Sequence, residues 1–232
     1  MAGHHNSSPS PPRLAGALLF IAGAAILMGV ITAEALYPAA YTTFGNEISD
    51  LGATRPPHSV SYQPSAAIFD VTMLASGVMI LVAAWLIHRA FRRRAGTIPL
   101  ACFGLGVFGV GLFPGNTAAH PYVATFVFIA AGVAALAGSR LLAPPLRQIS
   151  VALGAITLLS TFLGLFFPEW GPVAELGKGG IERWIAYPAV LWLTVFGGSL
   201  MGGAAAAPAA GKTEDADALV GAARRGSSYP GG

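Results

Sequence analysis

The stretch LAGALLFIAGAAILMGVITAEAL, residues 14–36, decides the fold, because Glu34 is the single charged residue in 23 positions. A membrane-spanning helix needs about 20 consecutive, mainly apolar residues. Five more stretches of this character follow, at residues 64–87, 98–113, 122–139, 149–167 and 184–203. The third is short, but uncharged residues continue from 95 to 119, so it still counts as a span. The sequence therefore predicts an all-α, polytopic membrane bundle of six transmembrane helices.

The composition agrees with a chain that has lipid as its solvent. Only 10% of the residues are charged and 54% are hydrophobic, whereas a soluble domain carries about a quarter charged residues. The single Cys102 excludes an internal disulfide and a cysteine-rich zinc site. Although the pI is about 9.3, the basic residues fall in short clusters between apolar stretches, so no nucleic acid partner is expected. Residues 1–12 and 204–232 are rich in Ser, Pro, Gly and Ala and are predicted to be disordered cytoplasmic tails.

The placement of Lys and Arg predicts the orientation, since short positively charged loops stay in the cytoplasm. With the N-terminus inside, ten of the 13 Lys and Arg residues are cytoplasmic and three, Arg55, Lys178 and Arg183, are outside. Both termini are then cytoplasmic, and the protein is a multi-pass protein of the cell membrane. The alternative that the chain is cleaved after the small-x-small triplet 33–35 stays open.

Polar residues concentrate in the first predicted outer loop, residues 38–63, which we call loop one. Its candidate binding residues are Asn46, Glu47, Ser49 and Asp50. Alternatively, Ser49 and Asp50 bond nearby backbone amides and only stabilise a turn.

Ionisable residues at the outer ends of the helices add further candidates. Asp70 lies about two turns into the second helix, where burying a carboxylate in the membrane costs free energy. Its side chain therefore needs a water-filled cavity or a partner such as His120, Lys178 or Arg183. Asp50, Asp70 and His120 are candidate catalytic residues, as acid and base or as metal ligands. A structural ion pair of Asp70 is the alternative.

The remaining candidate binding residues are near the same predicted face. Glu34 either reaches water or faces inward, and the solvated position is favoured. The others are Asn116, His120, Glu182, Arg183 and Tyr187. Glu182 and Arg183 either pair with loop one or bind a lipid headgroup phosphate, which suits Arg183 because its guanidinium is a bidentate fork. Interfacial anchoring is the alternative.

Motifs of known membrane enzymes are missing from the sequence. It has no paired HxxxH near the chain end, no Pro-Ser-Gly-His run, no aspartate-rich pairs and no Walker-type phosphate loop. No cofactor and no metal are therefore expected. Small residues four apart, such as Ala25, Gly29 and Ala33, predict close helix packing within the bundle or in a homo-oligomer.

The order of the motifs resembles a known family. The run Glu47-Ile48-Ser49-Asp50-Leu51-Gly52, Phe113-Pro114 with His120, and Glu182-Arg183 with Tyr187-Pro188 resemble the bacterial and archaeal domain-of-unknown-function family 998 over about residues 14–203. Residues 48–52 with Pro56-Pro57 are also similar to the group that contains the damage-regulated autophagy modulator and proteins linked to glycosylphosphatidylinositol lipid remodelling. This similarity implies six helices and an involvement with lipids, but Leu51 replaces the usual Thr.

The sequence thus favours a non-enzymatic or accessory membrane protein that contacts lipids or a protein partner through a polar extracytoplasmic cap. A lipid-modifying enzyme that uses Asp50 or Asp70 with His120 is the first alternative. A transporter with Asp70 as its ion site is the second.

Overall fold

The computed structural model describes residues 10–92 and 94–203. In these ranges the chain is all-helical, with no strand. The six long helices are α1 (Pro11–Ala35), α2 (Ser65–Phe91), α3 (Arg94–Leu112), α4 (His120–Gly138), α5 (Leu146–Phe166) and α6 (Gly171–Met201). All six are long and apolar enough to cross a membrane, which confirms the predicted fold class.

The helix boundaries differ from the predicted ones by one to four residues at most ends and by 13 residues at the start of α6. Helix α1 begins at Pro11, in a segment predicted to be a disordered tail, because proline suits the first turn of a helix. The rest of that tail and all of the C-terminal tail lie outside the described residues. Helix α6 begins at Gly171 rather than at Trp184, and Gly177 interrupts it with a φ of 68°, a conformation that glycine adopts without steric cost.

The six helices form a closed ring. Each helix packs against its neighbours in sequence, and α6 packs against α1, while α4 also touches α6. Helix α5 therefore lies on the outside of the α4–α6 pair. The closure of the ring depends on small residues: a methyl group on Gly16 of α1 would lie 2.6 Å from the carbonyl oxygen of Gly197 in α6.

The predicted small-residue packing is seen inside the bundle. Gly29 of α1 lies against Thr72 of α2, and Gly138 lies against the Trp192 ring. Trp192 is fully buried and its Nε1 donates a hydrogen bond of 2.7 Å to Ser150 Oγ, which ties α6 to α5. Because helices alternate in direction, loop one and the α3–α4 and α5–α6 connections share one end of the ring.

Candidate functional site

Part of loop one folds back into the open end of the helix ring. Residues 47–53, which we call the plug, contain the 3-10 helix Ile48–Leu51. Six of the seven plug residues are buried: Ile48, Ser49, Asp50, Leu51, Gly52 and Ala53. A buried loop must satisfy its backbone polar groups inside the protein, so the plug needs partners from the surrounding helices.

Asp50 stabilises the plug from within. Its Oδ2 accepts a hydrogen bond of 3.0 Å from the backbone N–H of Glu47 and one of 3.4 Å from Asn46 Nδ2. Lys178 Nζ lies 3.8 Å from the same oxygen. The expected alternative, a turn stabilised by a side chain bonded to the backbone, is therefore what the structure shows for Asp50.

Glu47 begins the plug and faces a charged partner. Arg55 Nη2 lies 3.0 Å from Glu47 Oε1 and 2.9 Å from Oε2. Burial raises the pKa of Glu47, and the Arg55 guanidinium opposes this shift. Half of the Arg55 side chain is exposed, so this cation can also reach a ligand outside the plug.

Arg183 of α6 holds loop one to the ring. Its Nη1 donates to the carbonyl oxygens of Asn46 and Gly179 at 3.0 and 2.9 Å, and to that of Thr43 at 3.3 Å. Its Nη2 donates to Glu34 Oε1 and, at 3.0 Å, to the Tyr41 hydroxyl. Only 9% of the side chain is exposed and both terminal nitrogens are engaged inside the protein. Of the two roles expected from the sequence, Arg183 therefore has the pairing with loop one rather than the contact with a phosphate.

Tyr41 extends this tie. Its hydroxyl accepts the bond from Arg183 and donates one of 2.9 Å to the carbonyl oxygen of Glu47. Burial raises the pKa of Tyr41. The sequence offered no signal for Tyr41, because a tyrosine in a loop near the interface is common.

Glu182 is the second acidic partner of the plug. It is buried, and its Oε2 accepts a hydrogen bond from the backbone N–H of Ile48. This bond satisfies the first amide of the 3-10 helix, which has no partner within its own short turn. Glu182 and Arg183 thus bind the same loop from adjacent positions of α6.

Beneath the plug the ring encloses a cavity, which we call the chamber, of about 80 Å³. Helices α1, α2, α3, α4 and α6 line it, mainly with aliphatic and aromatic side chains. The polar side chains in its wall are Ser49, His120, Glu182 and Tyr187.

His120 is the buried polar group of this wall that lacks a complete set of partners. Its Nδ1 lies 2.7 Å from the carbonyl oxygen of Phe113. A carbonyl only accepts hydrogen bonds, so Nδ1 carries a proton. The other nitrogen, Nε2, is buried and has no hydrogen-bond partner among the described residues. The side chain as a whole is 1% exposed.

A second and larger cavity of about 450 Å³, which we call the lateral cleft, lies between α4, α5 and α6. The charged residues at its loop-one end are Glu47, Arg55, Glu169, Lys178 and Glu182. Its other walls are mainly apolar and include Phe128, Leu165, Ile181 and Ile185. The cleft therefore joins a polar end to an apolar trough.

The other predicted site residues fall outside these cavities. Glu34 is 23% exposed and pairs with Arg183, so the favoured solvated position was wrong. Asn116 is exposed on the α3–α4 connection. Asp70 lines neither cavity; its buried Oδ1 faces Gly52 and has no hydrogen-bond partner in the described part of the chain.

Asp70 does not pair with the three partners expected from the sequence. Arg183 binds Glu34, Lys178 approaches Asp50, and His120 Nδ1 bonds to Phe113. Within residues 10–92 and 94–203, no three His, Cys, Asp or Glu side chains converge as metal ligands would.

The sequence missed the role of two cations in the lateral cleft. Arg55 and Lys178 were counted only for topology or as a partner of Asp70. They could have been found, because besides Arg183 they are the only Lys or Arg residues predicted on the outer side.

No curated protein and no solved structure matches this chain. A family model described as "Protein of unknown function (DUF998)" matches residues 20–199, which confirms the first resemblance. The similarity to the autophagy-modulator and lipid-remodelling group stays a prediction. The chain is a multi-pass membrane protein that belongs to the DUF998 family.

Proposed function

We propose that this protein is a non-enzymatic, accessory component of the cell membrane that binds a phospholipid in the lateral cleft. The phosphate contacts Arg55 and Lys178, and an acyl chain lies along the apolar trough. In this proposal loop one lies on the extracytoplasmic side of the membrane, and membrane lipids are the protein's partners. The carrying observation is that two exposed cations stand at the polar end of a cleft whose remaining walls are apolar.

Two of the five charged side chains at this end of the cleft are exposed cations that can contact a phosphate. The side chains of Arg55 and Lys178 are 50% and 59% exposed. Each has an acidic neighbour that is largely buried, Glu47 at 14% and Asp50 at 4% exposed, so the outer side of each cation remains available to a phosphate. Charge-assisted hydrogen bonds to phosphate are roughly twice as strong as neutral ones.

The shape of the cleft suits a lipid more than a soluble solute. The trough is built from Phe128 of α4, Leu165 of α5 and Ile185 of α6, at helix positions that a bilayer would surround. Burying acyl chain against such a wall is not itself favoured over lipid. The trough therefore orients the molecule, while the cations supply the preference for it.

The accessory role is supported by how the candidate catalytic carboxylates are used. Asp50 is buried in the plug and bonded to its backbone, and Asp70 lies in neither cavity. The enzyme alternative would need one of them to reach a bound lipid. Incubation of the purified protein with phospholipid should give no new lipid species by mass spectrometry, and a product lost in Asp50→Asn would establish the alternative instead.

Lipid binding can be tested with the purified protein in micelles. Phosphatidylglycerol is titrated and its adducts are counted by native mass spectrometry. The double variant Arg55→Gln, Lys178→Gln should bind about tenfold more weakly, a change of about 1.4 kcal/mol. Arg140→Gln is the matched control, because Arg140 is exposed at the opposite end of the bundle. Unchanged affinity in the double variant, or an equal loss in the control, would contradict the phosphate site.

The trough is tested by a matched pair of glycine substitutions. A methyl group on Gly164 would lie 3.2 Å from Ile181 Cγ1 in the cleft, whereas one on Gly198 has no neighbour within 4 Å. Gly164→Leu should lower lipid binding several-fold and Gly198→Leu should not. Equal effects of the two would refute the trough.

Orientation needs a separate measurement. In a Cys102→Ser background, a membrane-impermeant maleimide should label His58→Cys in intact cells and should not label Arg140→Cys. The reverse pattern would overturn the proposed topology.

A further inference from the structure

The chamber beside the lateral cleft has an unsatisfied acceptor. In the neutral His120 ring the proton is on Nδ1, which bonds to Phe113, so Nε2 presents a lone pair. This atom is buried and has no hydrogen-bond partner within residues 10–92 and 94–203. A buried polar group left unpaired costs free energy, and a ligand that donates a hydrogen bond would remove this cost.

The chamber and the lateral cleft are adjacent. Three residues line both of them, namely Ala124, Phe128 and Glu182. Ala124 and Phe128 are one turn apart on α4, and the turn before them begins at His120. The two cavities therefore adjoin at these three residues, and a group that extends from a lipid in the cleft enters the His120 side of the chamber by passing between them.

The volume of the chamber limits what can enter. About 80 Å³ is little more than half of the roughly 150 Å³ of an engineered cavity that holds benzene. It has room for a small fragment of a headgroup and not for an acyl chain. Ser49 and Tyr187 also line it, so a fragment with a hydroxyl group meets hydroxyl neighbours as well as the histidine.

We infer that the bound phospholipid carries a free hydroxyl group in its headgroup, beyond the phosphate, and that this hydroxyl donates a hydrogen bond to His120 Nε2. The inference rests on the proposed phospholipid site and adds the chemical class of its headgroup: a polyol such as glycerol. A hydroxyl fits better than an ammonium group, because the one acidic side chain of the chamber, Glu182, already accepts a hydrogen bond from the plug, and moving a charge into the otherwise apolar cavity costs far more than moving a neutral donor. A second phosphate is excluded for the same reason, and it offers Nε2 no donor when it is fully ionised.

The test compares two lipids that differ only in the hydroxyls. Dioleoylphosphatidylglycerol and dioleoylphosphatidylpropanol have the same charge and the same chains, and they are titrated against the full-length protein in micelles. The wild-type protein should bind the glycerol lipid about tenfold more tightly. Dioleoylphosphatidylethanolamine serves as the ammonium probe and should bind no better than the propanol lipid.

His120→Asn is the matched variant, because the Asn amide nitrogen can replace Nδ1 as the donor to Phe113 while nothing replaces Nε2. It should bind both anionic lipids with equal affinity, close to that of the propanol lipid for the wild type. Arg55→Gln with Lys178→Gln should instead weaken both lipids and leave their ratio unchanged.

A second readout keeps the inference testable even if His120→Asn does not fold. In ¹⁵N-histidine-labelled protein with His4, His5, His58 and His88 replaced, the Nε2 resonance should shift on addition of the glycerol lipid and not on addition of the propanol lipid. Equal wild-type affinities for the two lipids, a glycerol preference that survives in His120→Asn, or tighter binding of the ethanolamine lipid would each overturn the inference and leave the phosphate site standing. Loss of all lipid binding would remove both proposals.

Discussion

Replacing Arg183 by methionine should destabilise the protein strongly. Methionine keeps the length of the side chain but removes every donor, so Glu34 and the carbonyl oxygens of Asn46 and Gly179 lose their partner. Removal of one partner of a buried ion pair costs about 3–5 kcal/mol. The single hydrogen bonds are part of the same loss and are not added to it. We therefore expect Arg183→Met to lower the free energy of unfolding by about 4 kcal/mol.

The assay is unfolding of the purified protein in mixed micelles with increasing SDS, followed by circular dichroism. Glu34→Gln should cost less, about 1–2 kcal/mol, because the amide oxygen still accepts from Arg183. In the double variant the losses should be less than additive, since the two residues share one contact. The exposed Arg140→Met should change stability by no more than about 0.5 kcal/mol.

A loss below about 1 kcal/mol in Arg183→Met would refute the reasoning. So would strict additivity with Glu34→Gln. Either result would mean that loop one stays in place without the tie from α6, and the plug would then depend on its apolar contacts alone.

Three further changes test other parts of the structure. Gly115→Ala should displace the plug, because the added methyl group would overlap the carbonyl oxygen of Ala53, while Gly198→Ala should be neutral or slightly stabilising. The rate of protease cleavage in loop one measures the difference. Equal cleavage of the two variants would count against the plug contact. Ser150→Ala should cost about 1–3 kcal/mol in SDS unfolding, because the buried Trp192 N–H loses its acceptor, and a neutral result would contradict this bond. Burial raises the pKa of Glu47, so the folded state binds the Glu47 proton more tightly than the unfolded state does. The resulting stabilisation is fully present below the ordinary pKa of about 4.5 and is lost as the pH rises through the raised pKa. Unfolding measured from pH 4 upward should show this decline, and Glu47→Gln should flatten it.

The fold class was predictable because it depends on local composition. A run such as residues 14–36 has no stable place outside lipid, and its backbone can satisfy its hydrogen bonds there only as a helix or in a closed barrel. The same reasoning found the other five spans. It failed at the start of α6, because residues 171–183 carry charges and their helix is stabilised by contacts with loop one rather than by apolar character.

The candidate site was predictable only in part. The sequence analysis identified Glu182, Arg183, Asp50 and His120 as candidates, because burying ionisable side chains near membrane helices costs free energy and therefore indicates a functional or structural role. It left open whether Arg183 pairs with loop one or binds a phosphate, it was wrong to favour water for Glu34, and the three partners it named for Asp70 contact other groups. Charge and helix position limit which residues can meet but do not choose among them.

The sequence by itself determined that this chain is a six-helix membrane protein with its polar residues near the predicted helix ends, since hydrophobicity and helix length are properties of each segment alone. The tertiary structure decided that loop one folds inward as a plug and that Arg183 holds it in place. It also decided that His120 Nε2 has no partner in the described part of the chain and lies near a cleft that carries Arg55 and Lys178. These outcomes depend on the closing of α6 against α1, which brings together residues more than 130 positions apart. Such contacts follow from the shape of the whole ring, and no local pattern contains them.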